Sequence, residues 1–113
     1  MRVLVTGSRE WRDPVAIHER MIRLPDSSTI VHGGARGADT MAEHQAKIMG
    51  FTIERFLPDW ETYGRRAGII RNREMLDTWP DIVLAFWDGQ SPGTADCVAE
   101  AQRRGIPVEV ISP

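Results

Sequence analysis

Four short runs of residues carry most of the chemistry this sequence offers: Thr6-Gly7-Ser8-Arg9, His32-Gly33-Gly34-Ala35-Arg36-Gly37-Ala38-Asp39, Arg71-Asn72-Arg73, and Asp88-Gly89-Gln90-Ser91-Pro92-Gly93-Thr94. Glycines let a backbone approach a ligand closely and turn its N–H groups toward it. Arginine adds a planar fork that matches phosphate or carboxylate geometry. Together these types point to an anion. The residues expected to contact it are Gly7, Ser8, Arg9, Gly33, Gly34, Arg36, Gly37, Asp39, Arg71, Asn72, Arg73, Trp87, Asp88, Gly93 and Thr94. Each run taken alone has a plainer reading. Gly33-Gly34 would equally serve a tight turn, Pro92-Gly93-Thr94 a helix start, and Asn72 a buried amide bonded to loop backbone.

The remaining reactive side chains add less. Glu74, Asp88 and Glu100 are the candidate acids if the chain is catalytic. His18, His32 and His44 show no metal-ligand spacing with Cys97, so neither a metal nor a cofactor is expected. Cys97, the single cysteine, fits a small buried apolar role better than a thiolate role. Trp11, Trp60, Tyr63 and Trp87 lie in or near the same loops, where they could stack on a base or anchor the loops. Neither G-x-G-x-x-G nor G-x-x-x-x-G-K-[ST] is present, so a dinucleotide fingerprint and a P-loop are both unsupported.

What must position these runs is an alternating chain. Arg2–Thr6 reads as a buried strand ending at a glycine. Asp13-Pro14 opens a helix as N-cap and first residue, with Ile17, Met21 and Leu24 on one face. Thr29–His32 is the second strand. Ala38–Met49 is a helix closed by Gly50, with Ala38, Met41, Ala42, Gln45 and Met49 on one stripe. Phe51–Leu57 is the third strand, followed by a loop from Pro58 to about Arg66. A third helix runs from Ala67 to Trp79, with Asn72, Met75, Leu76 and Trp79 aligned. Ile82–Trp87 is an unbroken apolar run, as in a strand buried on both faces. Thr94 reads as the N-cap of a fourth helix carrying Cys97, Val98 and Ala101, stopped by Gly105, and Pro107–Ile111 forms the fifth strand.

Strict alternation with short connections means a parallel sheet with helices on both faces. The expected fold is therefore α/β, a Rossmann-like open parallel sheet of about five strands in the order 3-2-1-4-5, with one domain over residues 1–113. In that order all four runs meet at the C-terminal edge of the sheet. The crevice then lies between strands one and four, where the winding reverses, with Thr6–Arg9 and Asp88–Thr94 as its lips.

Composition narrows the partners. Thirteen of the fourteen basic residues are arginine, yet the net charge is -2, so no global field draws in nucleic acid. No apolar run approaches the ~20 residues of a membrane span, and a lone cysteine forms no internal disulfide. A cytoplasmic protein is expected.

Taken together, Thr6–Arg9 with Trp11, His32–Asp39, the stretch Trp60…Tyr63-Gly64…Ala67-Gly68…Arg71-Asn72-Arg73-Glu74-Met75, and Phe86-Trp87-Asp88-Gly89…Ser91…Gly93-Thr94 resemble the YspA-type, cpYpsA-related SLOG family over essentially the whole chain. That superfamily includes the Smf/DprA DNA-processing proteins and the "lonely guy" phosphoribohydrolases. The resemblance implies a Rossmann-like fold and a nucleotide-related ligand, which some members are thought to sense. The phosphoribohydrolases carry G-G-x-G-T-x-x-E with a catalytic Glu. Here Cys97 stands at that position and Glu100 lies one turn further on. Ala35-Arg36-Gly37-Ala38-Asp39 and Arg71-Asn72-Arg73 match the A-R-G-I-D and R-N-R elements of DprA, whose relatives bind single-stranded DNA through basic surfaces.

The leading expectation is binding, and sensing, of a nucleotide-type or NAD/ADP-ribose-derived phosphate ligand. The alternatives are an enzyme cleaving the N-glycosidic bond of a nucleotide and a DprA-like single-stranded DNA binder. Nucleic acid is not the favoured partner, no membrane is expected, and a homodimer stays open.

Overall fold

A computed structural model describes all residues, 1–113, of the chain. Five parallel strands form one sheet: β1 (Arg2–Gly7), β2 (Thr29–His32), β3 (Thr52–Arg55), β4 (Ile82–Phe86) and β5 (Val108–Ile111), in the order β3-β2-β1-β4-β5. The expected α/β Rossmann-like sheet and its strand order are both found. β1 sits at the centre because it is apolar on both faces. Its register sets Leu4 beside Val31 of β2 and Val83 of β4.

The two faces of β1 feed two cores. Val3 and Val5 point into a cluster with Ile30, Leu84 and Phe86, packed against α1 (Pro14–Met21) and α2 (Ala38–Met49). Leu4 points the other way, with Val31 and Val83, against α4 (Ala67–Leu76) and α5 (Pro92–Arg103) through Met75, Leu76, Cys97 and Ala101. The short helix α3 (Trp60–Tyr63) and a 3-10 turn (Gly64–Arg66) lead into α4. The chain first winds outward from β1 to β3, then recrosses to β4 on the other side of β1. That reversal leaves the β1 and β4 loops without a helix between them, and a crevice opens there.

Local signals explain the helix ends. Asp13 Oδ1 accepts from the amides of Val15 and Ala16 at 3.0 and 3.2 Å, with Pro14 at the first position of α1. Gly50 closes α2 in a left-handed conformation.

Beyond one-residue shifts at the ends of β1, β4 and β5, four features differ from the sequence reading. The stretch read as a loop, residues 58–66, contains α3, capped by Asp59 through Thr62 N. A single exposed turn has no apolar period to betray it. β3 is shorter than Phe51–Leu57 because only Thr52–Arg55 pair with β2. The third predicted helix stops at Leu76. Trp79 has φ 53°, lies 61% exposed, and rests near the Arg104 guanidinium rather than on the buried stripe. Finally, Ser91 rather than Thr94 is the N-cap of α5: Pro92 takes the first position, and Thr94 falls inside the first turn. Cys97 consequently lies in the second turn of α5.

Candidate functional site

The site is built on backbone packed against backbone. Ser8, buried after β1, donates its amide to Phe86 O at 2.9 Å, and its Oγ accepts from Asp88 N at 3.2 Å. Its carbonyl accepts from Ala38 N at 3.3 Å, at the start of α2. One residue thus ties the β1 loop to the β4 loop and to α2. Such close approach excludes side chains. A Cβ on Gly7 would stand 2.6 Å from that of Ala38. One on Gly37, whose φ is 78°, would stand 2.5 Å from the carbonyl oxygens of both Ser8 and Arg9. These glycines serve the joint between loops.

The β2 loop is held by side chains instead. Asp39 Oδ2 accepts from Gly33 N at 3.1 Å and from Ala35 N at 3.3 Å. The amide between them, of Gly34, donates to His32 Nδ1 at 2.9 Å. Because Nδ1 accepts, the ring proton is on Nε2, which donates to Glu43 Oε1 at 2.9 Å. Arg71 reaches across from α4: its Nη1 donates to Gly33 O at 2.6 Å and its Nε to Asn72 Oδ1 at 3.1 Å. A Cβ on Gly33 would land on that guanidinium. Asn72 Nδ2 donates to Gly93 O at 3.1 Å and Asp96 Oδ2 at 3.3 Å, which fixes where α5 begins. Burial raises the Asp39 carboxyl above its ordinary range, against the opposing pull of His32, the loop amides and Arg71. Burial lowers Arg71, with Asp39 opposing.

Between these parts lies a cleft of about 400 Å³. The β1 loop contributes Thr6, Gly7, Arg9 and Glu10; the β2 loop and α2 contribute Ala35 and Asp39. From the other face come Arg71 and Asn72 of α4 and Ser91 to Thr94 at the start of α5. Ser91 makes no side-chain capping bond, and the first-turn amides of Gly93 and Thr94 have no acceptor in the protein. They are therefore donors presented to the cleft, reinforced by the helix dipole. Arg9 makes no ion pair and is exposed at the mouth. A second hollow of about 330 Å³ adjoins the cleft, sharing Arg9, Ala35 and Arg71, and is walled by Gly33, Gly34, Leu57, Pro58 and Trp60.

The sequence-derived candidates fall into three groups. Gly7, Arg9, Asp39, Arg71, Asn72, Gly93 and Thr94 line the cleft, and Gly33 and Gly34 line the second hollow. Ser8 and Gly37 stand behind the wall as packing. Arg36, Arg73, Trp87 and Asp88 line neither hollow. Arg36 is 73% exposed on the rim and pairs with Glu10 at 2.6 Å. Arg73 reaches from α4 to Asp96 on α5, with Nη1 and Nη2 at 2.8 and 3.1 Å. Trp87 is half-buried, with its indole Nε1 enclosed and unpartnered. Asp88 Oδ1 accepts from Gln90 N and Ser91 N, and those bonds, Gln90 first, lower its carboxyl.

Of the other candidate acids, Glu74 is exposed on α4. Glu100 is gripped by Arg103 and Arg104, which hold it down to about 2. Burial pushes the Cys97 thiol up to about 12, in keeping with a packing role. The sequence reading missed Thr6, Glu10, Ala35, Ser91 and Pro92 as lining residues. All of them lie in or beside the runs it singled out, so position was the available signal. No three His, Cys, Asp or Glu side chains stand close enough to hold a metal ion. No helix is long and apolar enough to cross a membrane.

Residues 1–63 match the model of the YspA, cpYpsA-related SLOG family. The Gene 61 protein of Mycobacterium phage D29 is 46% identical over 116 residues, covering 95% of this chain and 93% of the phage protein. Among solved structures, DNA processing protein A (DprA) from Streptococcus pneumoniae shares the fold with a TM-score of 0.81 at 18% identity; the match covers 96% of this chain but 49% of that one. TM1055 matches with a TM-score of 0.70 at 20% identity, over 95% of this chain and 71% of that one.

Proposed function

The chain belongs to the YspA, cpYpsA-related SLOG family, and we propose that it acts as a binding domain for a nucleotide-type or NAD/ADP-ribose-derived phosphate ligand at the C-terminal edge of its sheet. The observation that carries this reading is the uncapped first turn of α5, whose Gly93 and Thr94 amides open into a polar cleft beside Arg9 and Arg71. A phosphate there would complete the unsatisfied donors of the helix, where an anion gains up to ~2 kcal/mol from the dipole in a partly buried setting. Each charge-assisted hydrogen bond would add about 1.5–3 kcal/mol.

Thermal unfolding of the chain against nucleotides, NAD and ADP-ribose compounds tests the reading. At ten times Kd the gain is ~1.4 kcal/mol, enough for a visible rise in Tm. No shift with any of these compounds at millimolar concentration sinks the reading.

Two alternatives share the fold. Cleavage of a nucleotide N-glycosidic bond needs a carboxylate at the reacting carbon, and the carboxylates on the cleft are Asp39 and Glu10 rather than Glu74, Asp88 or Glu100. Release of free base from nucleoside monophosphates would bring that reading forward. The fold shared with DNA processing protein A raises a DNA-directed role. A net charge of -2, with Arg36 and Arg73 already paired to carboxylates, weighs against it. Salt-sensitive retardation of single-stranded DNA would bring it forward.

A further inference from the structure

We propose that Asp39 is the specificity-determining residue of this site: its free carboxylate oxygen, Oδ1, accepts a hydrogen bond from a sugar hydroxyl of the bound nucleotide, so the cleft selects ligands carrying a hydroxyl donor beside the phosphate. The proposal rests on the nucleotide reading given above. Asp39 is only 6% exposed, yet it forms no ion pair. Its Oδ2 is fully used by the amides of Gly33 and Ala35. Oδ1 has no donor in the protein and is not sealed off, and the wall it belongs to is that of the cleft. A solvent-reached carboxylate oxygen on a cleft wall is a strong acceptor, and a ligand hydroxyl can take the place of the water that would otherwise donate to it.

The surroundings choose the kind of donor. Arg9, Arg71 and the positive end of α5 line the same cleft as Asp39 and Glu10, and they disfavour a cationic ligand group beside them. A second phosphate placed against Asp39 would meet like charge. A neutral hydroxyl satisfies Oδ1 without either penalty. The Gly93 and Thr94 amides and Asp39 line one cleft of about 400 Å³, so a phosphate at the first and a sugar hydroxyl at the second belong to the same bound ligand.

The test is calorimetric titration of the full chain with ribonucleoside 5′-monophosphates and their 2′-deoxy and 3′-deoxy counterparts, on wild type and Asp39→Asn. Asparagine keeps a carbonyl oxygen for the Gly33 and Ala35 amides but turns a donor, not an acceptor, toward the cleft. Wild type is expected to bind one deoxy series about ten- to a hundredfold more weakly than the ribo series. Asp39→Asn is expected to narrow that discrimination at least several-fold, because an amide donating to the hydroxyl replaces a stronger bond to a carboxylate, while binding inorganic phosphate at least as well as wild type. Equal affinity of wild type for ribo and both deoxy compounds overturns the proposal, as does discrimination undiminished in Asp39→Asn. If Asp39→Asn does not fold, Asp39→Glu serves in its place and is expected to shift the ribo-to-deoxy ratio, and an unchanged ratio there overturns the proposal. Binding of no nucleotide at all overturns the nucleotide reading itself, and this proposal with it, so the two failures are distinct.

Discussion

Arg71→Ala should weaken the fold and the ligand together, and the two losses can be worked out separately. The guanidinium donates to Gly33 O at 2.6 Å and to Asn72 Oδ1 at 3.1 Å. A charged hydrogen bond to a partly buried carbonyl contributes about 1.5–3 kcal/mol, and the longer bond to an amide about 1 kcal/mol. Water entering from the cleft recovers part of this, because the emptied space borders solvent. A net loss of about 2–3 kcal/mol is expected. At this chain length that corresponds to a fall in Tm of roughly 8–20 °C, in a protein that still folds given the usual 5–15 kcal/mol of total stability. Loss of the phosphate contact should cost a further 1.5–3 kcal/mol of binding, about ten- to a hundredfold in Kd.

Urea unfolding with an unchanged m-value reads the first quantity, and titration with a nucleoside monophosphate reads the second. Arg71→Lys should restore charge but not the two-point fork, and recover little. In an Asp39→Asn background the stability cost should shrink, since the carboxylate that Arg71 faces is gone. Unchanged stability and unchanged affinity in Arg71→Ala would refute the reasoning.

Three further outcomes follow from the same geometry. Arg36→Ala should change nucleotide affinity by less than about 1 kcal/mol, because its exposed pair with Glu10 stands on the rim; a hundredfold loss by titration would place it in the site after all. Gly37→Ala should destabilise by more than about 2 kcal/mol in chemical denaturation, since a Cβ there meets two carbonyl oxygens at a backbone conformation L-residues avoid; a neutral result would mean the β1–α2 joint can yield. Glu43 and Glu100 are each held down to about 2 against an ordinary 4.5, first by Arg55 and first by Arg103 respectively. A lowered carboxyl stabilises the fold above its unfolded value, so that contribution should fade as pH falls from about 4.5 toward 2. Glu43→Gln should flatten the acid limb of a stability–pH curve, and an unaltered limb would count against the His32–Glu43–Arg55 cluster.

Much of this protein is legible in its sequence, for local reasons. Apolar runs at β1, β2 and β4 and the 3.6-residue stripe of α2 reflect burial along a regular period, and such periods survive without coordinates. Asp13-Pro14 and Gly50 mark helix ends because capping depends on a few adjacent residues. Alternation of strand and helix then leaves few topologies, and the order with β1 and β4 adjacent is one of them. That is enough to bring the glycine and arginine runs to one edge. Where the local signal is short or split, the sequence misleads: α3 is a single exposed turn, and Ser91-Pro92 competes with Thr94 for the start of α5.

Only the tertiary structure decided which members of each run face the cleft. Arg71 and Arg73 are two positions apart on one helix, so the helical twist alone points them to different neighbours: Gly33 for one, Asp96 for the other. Asp39 lies in a run read as a phosphate loop, yet its role depends on where the Gly33 and Ala35 amides fold back to meet Oδ2 and leave Oδ1 open. Arg36 shares that run and ends at the surface beside Glu10. Residue type and spacing determined that glycines and arginines gather around one cleft at the sheet edge. Which side chains remain free to serve it was decided by partners distant in sequence, because a charge already satisfied by the protein is no longer available to a ligand.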